Sequence, residues 1–101
     1  LALLQKRANI DLPDKQGYTA LIMAARFEKL DVMRALVESG ANLDLTNDVG
    51  DTALHEVARK GNTDCVRCLL DKKPRLVIQN KAGLTALYVA IYKGYQAVTI
   101  M

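Results

Sequence analysis

The chain has 101 residues, of which 50% are hydrophobic and 25% charged, with a net charge of +3. No apolar run approaches the roughly 18 residues that would cross a bilayer, so direct membrane insertion is not expected, and the positive charge forms a weak gradient along the chain rather than the basic stripe that nucleic acid requires. The N-terminus lacks the pattern of a signal peptide, and two cysteines are fewer than a disulfide-stapled extracellular domain usually carries, so the cytoplasm is the expected compartment, with the nucleus as the alternative.

In chain order, Leu3 and Leu4 and then Ala8-Asn9-Ile10-Asp11 come first. Both return 33 residues later, as Leu36 and Val37 and as Ala41-Asn42-Leu43-Asp44. Next, Gly17-Tyr18-Thr19-Ala20-Leu21 returns as Gly50-Asp51-Thr52-Ala53-Leu54 and again as Gly83-Leu84-Thr85-Ala86-Leu87. Four residue types held in register three times, without insertion, require a repeated structural unit. In the same register Ala25 falls over Ala58, Glu28 over Gly61 and Gly94, and Val32, Met33, Leu36, Val37 over Cys65, Val66, Leu69, Leu70. The units read as 14–46, 47–79 and a broken 80–101, with 1–13 as the tail of an earlier one.

Each unit reads as two short helices and a turn. In the second, Thr52 is a natural N-cap for a helix through Leu54, Val57 and Ala58, which Gly61-Asn62 stops. Thr63 or Asn62 caps the next helix, whose Cys65, Val66, Leu69 and Leu70 form one apolar stripe that Pro74 terminates. Leu76 to Gly83 then reads as an extended, turn-rich hairpin leading to the next Thr-capped helix. No such pair buries its stripe alone, so neighbouring units must stack into an all-α solenoid with short β-hairpin loops. Ala24, Ala25, Ala58 and Ala90 are small so that adjacent first helices can approach closely.

Thr19-Ala20-Leu21-Ile22-Met23-Ala24, Thr52-Ala53-Leu54-His55-Glu56-Val57 and Thr85-Ala86-Leu87-Tyr88-Val89-Ala90 resemble the Thr-Pro-Leu-His-x-Ala signature of the ankyrin repeat family, whose period is 33. The resemblance covers essentially the whole chain, including Gly40-Ala41-Asn42 and the glycines at 61 and 94. It implies a structural hydrogen bond between His55 and Thr52. Ala20, Ala53 and Ala86 replace the family's proline, which implies a loss of roughly a few tenths to one kcal/mol per unit. Arg7 and Lys73 stand where Gly40 ends a second helix, and a left-handed side chain there costs on the order of 1 kcal/mol.

Chemistry is weakly represented. Cys65 and Cys68 form a C-x-x-C without the second ligand pair that structural zinc needs, so both read as small hydrophobes, and no metal or cofactor is expected. His55 has no nucleophile and orienting acid beside it. Asp48, Asp51 and Glu56 read as solvated or capping groups, because a hydrolytic pair needs an enclosing cleft. No enzyme activity is expected.

What remains is a binding module. The family resemblance implies a concave face of hairpin tips and first helices that carries Lys15, Gln16, Tyr18, Arg26 and Phe27, then Asp48, Val49, Asp51, Arg59 and Lys60, then Lys81, Ala82, Leu84, Tyr92 and Lys93. Such a face suits a protein or peptide better than a small molecule, and its excess of cations and aromatics suits an acidic ligand. The alternative, from a different class, is a substrate-recruiting or regulatory segment of a larger enzyme or channel.

Overall fold

A computed structural model describes residues 9–92. Expectations for Leu3, Leu4, Arg7, Lys93 and Gly94 lie outside the described residues. The first helix, α1 (Ala20–Arg26), begins where Thr19 turns its hydroxyl onto the Ile22 N–H at 3.2 Å, satisfying one of the amides that a helix start leaves unpaired. α2 spans Leu30–Glu38, α3 Ala53–Lys60 and α4 Thr63–Leu70. Residues 86–92 form α5, started in the same way by Thr85, whose hydroxyl accepts the Tyr88 N–H at 3.1 Å. At α4 the cap is Asn62, whose side-chain oxygen accepts the Cys65 N–H at 3.1 Å, so Thr63 is the first helical residue. Lys29 stands in Asn62's register before α2 and makes no side-chain cap.

Helix ends follow the same period. Gly61 ends α3 with φ 73°, and Glu28 adopts φ 58° at the equivalent place after α1. Gly40 and Lys73 are the second such pair, with φ 92° and 54°. Glu28 and Lys73 each accept a conformation that costs a non-glycine residue about 1 kcal/mol. Pro74 does not itself end α4. The helix closes four residues earlier, at Leu70, and a turn follows in which the Lys72 and Lys73 N–H groups donate to the Leu69 and Leu70 carbonyls. The proline disfavours right-handed helix at Lys73 and so keeps the chain from resuming it.

The helices stack in two layers, α1 against α3 and α2 against α4, while α1 and α2, and α3 and α4, pair within units. The molecule is elongated, 48 × 25 × 21 Å, as stacking along one axis demands. Leu21, Ile22, Ala25, Met33, Leu54, Val57, Cys65 and Leu69 form its core. Ala24, Ala25 and Ala58 are buried between the layers, whereas Ala90 is only half-buried.

Three stripe residues depart from the expected core. Val32 is 48% exposed and Leu70 43%, each about 100° around the helix from the buried Met33 or Leu69, although Cys65 and Val37 in the same register are buried. Leu87 is exposed although Leu21 and Leu54 in the same register are buried. Among the described residues α5 has no second helix paired against it.

The expected hairpins are present as tight turns without strands among the described residues. Asp14, Asn47 and Asn80, one period apart, each use a side-chain oxygen to accept two backbone N–H groups. Those donors are Gln16 and Tyr18 at 2.9 Å for Asp14, Val49 and Asp51 at 3.1 and 3.0 Å for Asn47, and Ala82 and Leu84 at 3.0 Å for Asn80. The side chain thus takes the amides that a ladder would otherwise pair.

Adjacent turns are joined directly, since the Asp48 N–H donates to the Gln16 carbonyl at 2.8 Å and the Lys81 N–H to the Val49 carbonyl at 3.0 Å. That closeness explains the glycines. A Cβ on Gly50 would lie 2.8 Å from the Lys81 backbone nitrogen, whereas a Cβ on Gly83 would meet nothing within 4 Å among the described residues, although both glycines have φ near 80°. Gly83→Ala is expected to cost about 1 kcal/mol from backbone strain alone, and Gly50→Ala about 2 kcal/mol, in urea unfolding. Equal losses would show that the close approach of the turns carries no weight.

Candidate functional site

Loop tips and first helices line one side of the array, where most of the sequence-predicted residues are accessible. Lys15, Gln16, Arg26, Phe27, Asp48, Val49, Lys60, Lys81, Ala82 and Tyr92 are exposed, while Tyr18, Arg59 and Leu84 are half-buried. Asp51 is a correction. Only 3% of it is exposed, so it is not available to a ligand surface. Glu56 is likewise buried rather than solvated.

Burial of these two carboxylates is made tolerable by one guanidinium. Arg59 places Nη2 3.0 Å from Asp51 Oδ2 and Nη1 3.2 Å from Glu56 Oε1, and Asn80 Nδ2 donates to Asp51 Oδ1 at 2.9 Å. The acids lie below and the guanidinium, 39% exposed, lies above them. Burial lifts the Glu56 carboxyl above the ordinary carboxylate range; Arg59 pulls it down, and Asp51 pushes it up again. Arg59 is therefore as much a fastener within its own unit as a surface cation, while Asn80 ties Asp51 to the next unit. One period earlier the same triad reads Tyr18, Arg26 and Asn47. Tyr18 offers no carboxylate, so Arg26 instead stacks over its ring, 5.4 Å from the centroid, and donates to its hydroxyl. Asn47 Nδ2 consequently stays buried without a partner among the described residues.

His55 extends the fastening. Its Nδ1 accepts from the Thr52 backbone N–H at 3.0 Å and lies 2.8 Å from the Thr52 hydroxyl, as the family resemblance implies. Its other nitrogen reaches the Leu84 carbonyl of the next unit at 2.8 Å, which assigns the proton to Nε2.

Two hollows open between successive first helices. One, of about 280 Å³, is lined by Tyr18, Arg26, Val49, Asp51, Glu56, Arg59 and Lys60. The other, of about 480 Å³, is lined by Arg59, Leu84, Tyr88, Val89 and Tyr92. Tyr18, Arg26, Val49, Asp51, Arg59 and Lys60 are thus brought together, as are Leu84 and Tyr92. Lys15, Gln16, Phe27, Asp48, Lys81 and Ala82 line neither hollow. The sequence reading took Glu56 for a solvated or capping group and gave Asn80 and Tyr88 no place on the face. The recurrence of Asp14, Asn47 and Asn80 was available as a signal, and Tyr88 stands one helical turn before Tyr92.

On the opposite side Cys65 is fully buried and Cys68 half-buried, both as free thiols. Burial pushes both thiols up, away from the thiolate form that reacts or binds metal. Among the described residues no three His, Cys, Asp or Glu side chains are grouped to hold a metal ion, and no helix is long and apolar enough to cross a membrane.

Comparison with protein families gives two matches, to a model described as ankyrin repeats (3 copies) over residues 39–101 and to one described as ankyrin repeats (many copies) over residues 3–57. No curated protein matches the chain. Ankyrin repeats are in general non-catalytic protein–protein interaction modules. With each family model matching more than half of its length, and with stacked helix pairs joined by Asx-closed turns, the chain belongs to the ankyrin repeat family.

Proposed function

We propose that this chain binds a protein or peptide partner on the face formed by its loop tips and first helices. The observation that carries the reading is the layering of charge there: Asp51 and Glu56 are buried, while the cations above them stay accessible. Exposed Lys15, Arg26, Lys60 and Lys81 against exposed Asp14 and Asp48 support an acidic ligand rather than a nucleic acid or a small-molecule substrate. Rigid, amphipathic Tyr18 and Tyr92 are residue types enriched at interface centres. The repeat register supports units at 14–46, 47–79 and 80–101, and the low cysteine count supports the cytoplasm or nucleus.

With a partner in hand, calorimetry separates this face from the other side. Tyr18→Ala and Lys60→Ala are expected to cost roughly 1–2 kcal/mol of affinity, Lys60→Ala with a stability change within about 0.5 kcal/mol. Arg34→Ala and Arg67→Ala on the second helices should leave affinity unchanged. Arg59 is no clean probe, because its removal also strands two buried carboxylates. Loss of binding only in the second-helix variants would sink the assignment.

A further inference from the structure

The two hollows are the same groove seen one period apart. Asp51, Glu56 and Arg59 of the first correspond in register to Leu84, Val89 and Tyr92 of the second. At three equivalent positions the chemistry changes from two acids and a cation to two aliphatic side chains and an aromatic. Arg59 borders both hollows and so marks the boundary between them. Tyr88 adds to the contrast. Where Ile22 and His55 stand in its register, Tyr88 lines the second hollow one helical turn from Tyr92.

Resting on the binding face proposed above, we infer that this pair of grooves selects an extended peptide segment in which an acidic side chain and a bulky apolar side chain stand about three residues apart. The carboxylate meets Arg26 and Lys60 in the first groove, and the apolar side chain enters the second between Tyr88 and Tyr92. Spacing follows from geometry. Packed helices lie about 8–10 Å apart, so successive grooves between stacked first helices share that interval, and an extended peptide covers it in about three residues at roughly 3.3 Å each. The second groove, at about 480 Å³, falls within the size range of ligand pockets and holds a side chain with its adjoining backbone.

Charge complementarity identifies the other half of the ligand. In the first groove three cations, Arg26, Arg59 and Lys60, stand against two acids, Asp51 and Glu56, which leaves one positive charge over to face one carboxylate. That surplus is too small for the multiple phosphate contacts of a nucleic-acid strand, so the tyrosines of the second groove stand beside too little positive charge to hold one.

The test uses the 101-residue chain and fluorescein-labelled Gly/Ser dodecapeptides carrying one Glu and one Phe, read by anisotropy. Glu and Phe are placed adjacent, three apart or seven apart, in both orders, with Glu→Gln and Phe→Ala controls and a twelve-nucleotide oligothymidylate as the nucleic-acid arm. One order at the three-residue spacing is expected to bind about five-fold or more tightly than the other spacings, and each control to weaken it by a similar factor. Tyr92→Ala should abolish the preference for Phe over Ala while keeping that for Glu over Gln, and Lys60→Ala should do the reverse, with helicity retained in both. No peptide binding, binding that ignores spacing, or tighter binding of the oligonucleotide overturns the inference. If peptides bind without regard to spacing yet are lost in Arg26→Ala and Lys60→Ala, the pairing fails while the binding face stands. Loss only in Arg34→Ala and Arg67→Ala removes the face itself.

Discussion

Leu69→Ala is expected to unfold most of the protein at room temperature, and Leu70→Ala to leave it folded. The two leucines are neighbours in one apolar run, but Leu69 is 1% exposed and Leu70 43%. Leu69 sits in the core cluster that joins both layers. Truncating it removes the buried side chain and leaves a cavity that close-packed helices refill only in part, at a cost of about 2–5 kcal/mol. Small domains hold only some 5–15 kcal/mol in total, and this one already carries two left-handed non-glycine residues, Glu28 and Lys73. At Leu70 the expected loss is within about 1 kcal/mol. Urea unfolding followed by helical circular dichroism distinguishes them, and comparable losses at both positions would refute the two-layer packing.

The second large effect belongs to Arg59→Met. Methionine keeps the apolar stem and removes the guanidinium, which strands Asp51 and Glu56 beneath the surface with like charges side by side. Breaking a buried pair typically costs about 3–5 kcal/mol, and the partial exposure of Arg59 puts the expected loss near 3 kcal/mol at neutral pH. The pH dependence carries a sign. The Glu56 carboxyl is raised in the fold, above its unfolded value, so the native state retains a proton that the unfolded chain has released. Stability contributed through this group is therefore present below the unfolded value and falls as pH rises towards the folded one. Arg59 is the largest influence holding that folded value down, so its removal raises it further. Arg59→Met should consequently cost less at about pH 5 than at about pH 7.5, and a Glu56→Gln background should shrink the difference. A loss that is the same at both pH values would show that Glu56 is not the group responsible.

Lys60, one residue along the same helix, makes a useful contrast. It is exposed and enters no ion pair among the described residues, so its change should register in binding and not in folding.

Much of the fold can be read from the period, because what repeats is local. Thr19, Thr52 and Thr85 cap helices wherever they fall, since a cap needs only the two or three residues that follow it. His55 joins Thr52 across a single helical turn, and Gly17 and Gly50 mark turns whose left-handed backbone favours glycine. The exposed face, too, follows from register: helical angle turns Arg26, Lys60 and Tyr92 away from the core, while Lys15 sits in a turn and Phe27 just past the end of α1.

What the period could not express is the contact between non-identical neighbours. Asp51 looks like any acidic residue in a turn until α3 brings Arg59 back over it and the following turn brings in Asn80; only then is its burial affordable in free energy. Leu69 and Leu70 have the same chemistry, and only the side on which the next layer packs decides which is core. Likewise, the change from a charged groove to an apolar one is visible in the string as Asp51, Glu56 and Arg59 against Leu84, Val89 and Tyr92. It gains meaning once stacking places those residues on the walls of adjacent grooves. Sequence by itself determined the unit, its caps and the array, because these depend on separations of a few residues and a fixed repeat. Tertiary structure alone decided which charges are buried and where the hollows lie, because desolvation depends on what covers a group rather than on what precedes it in the chain.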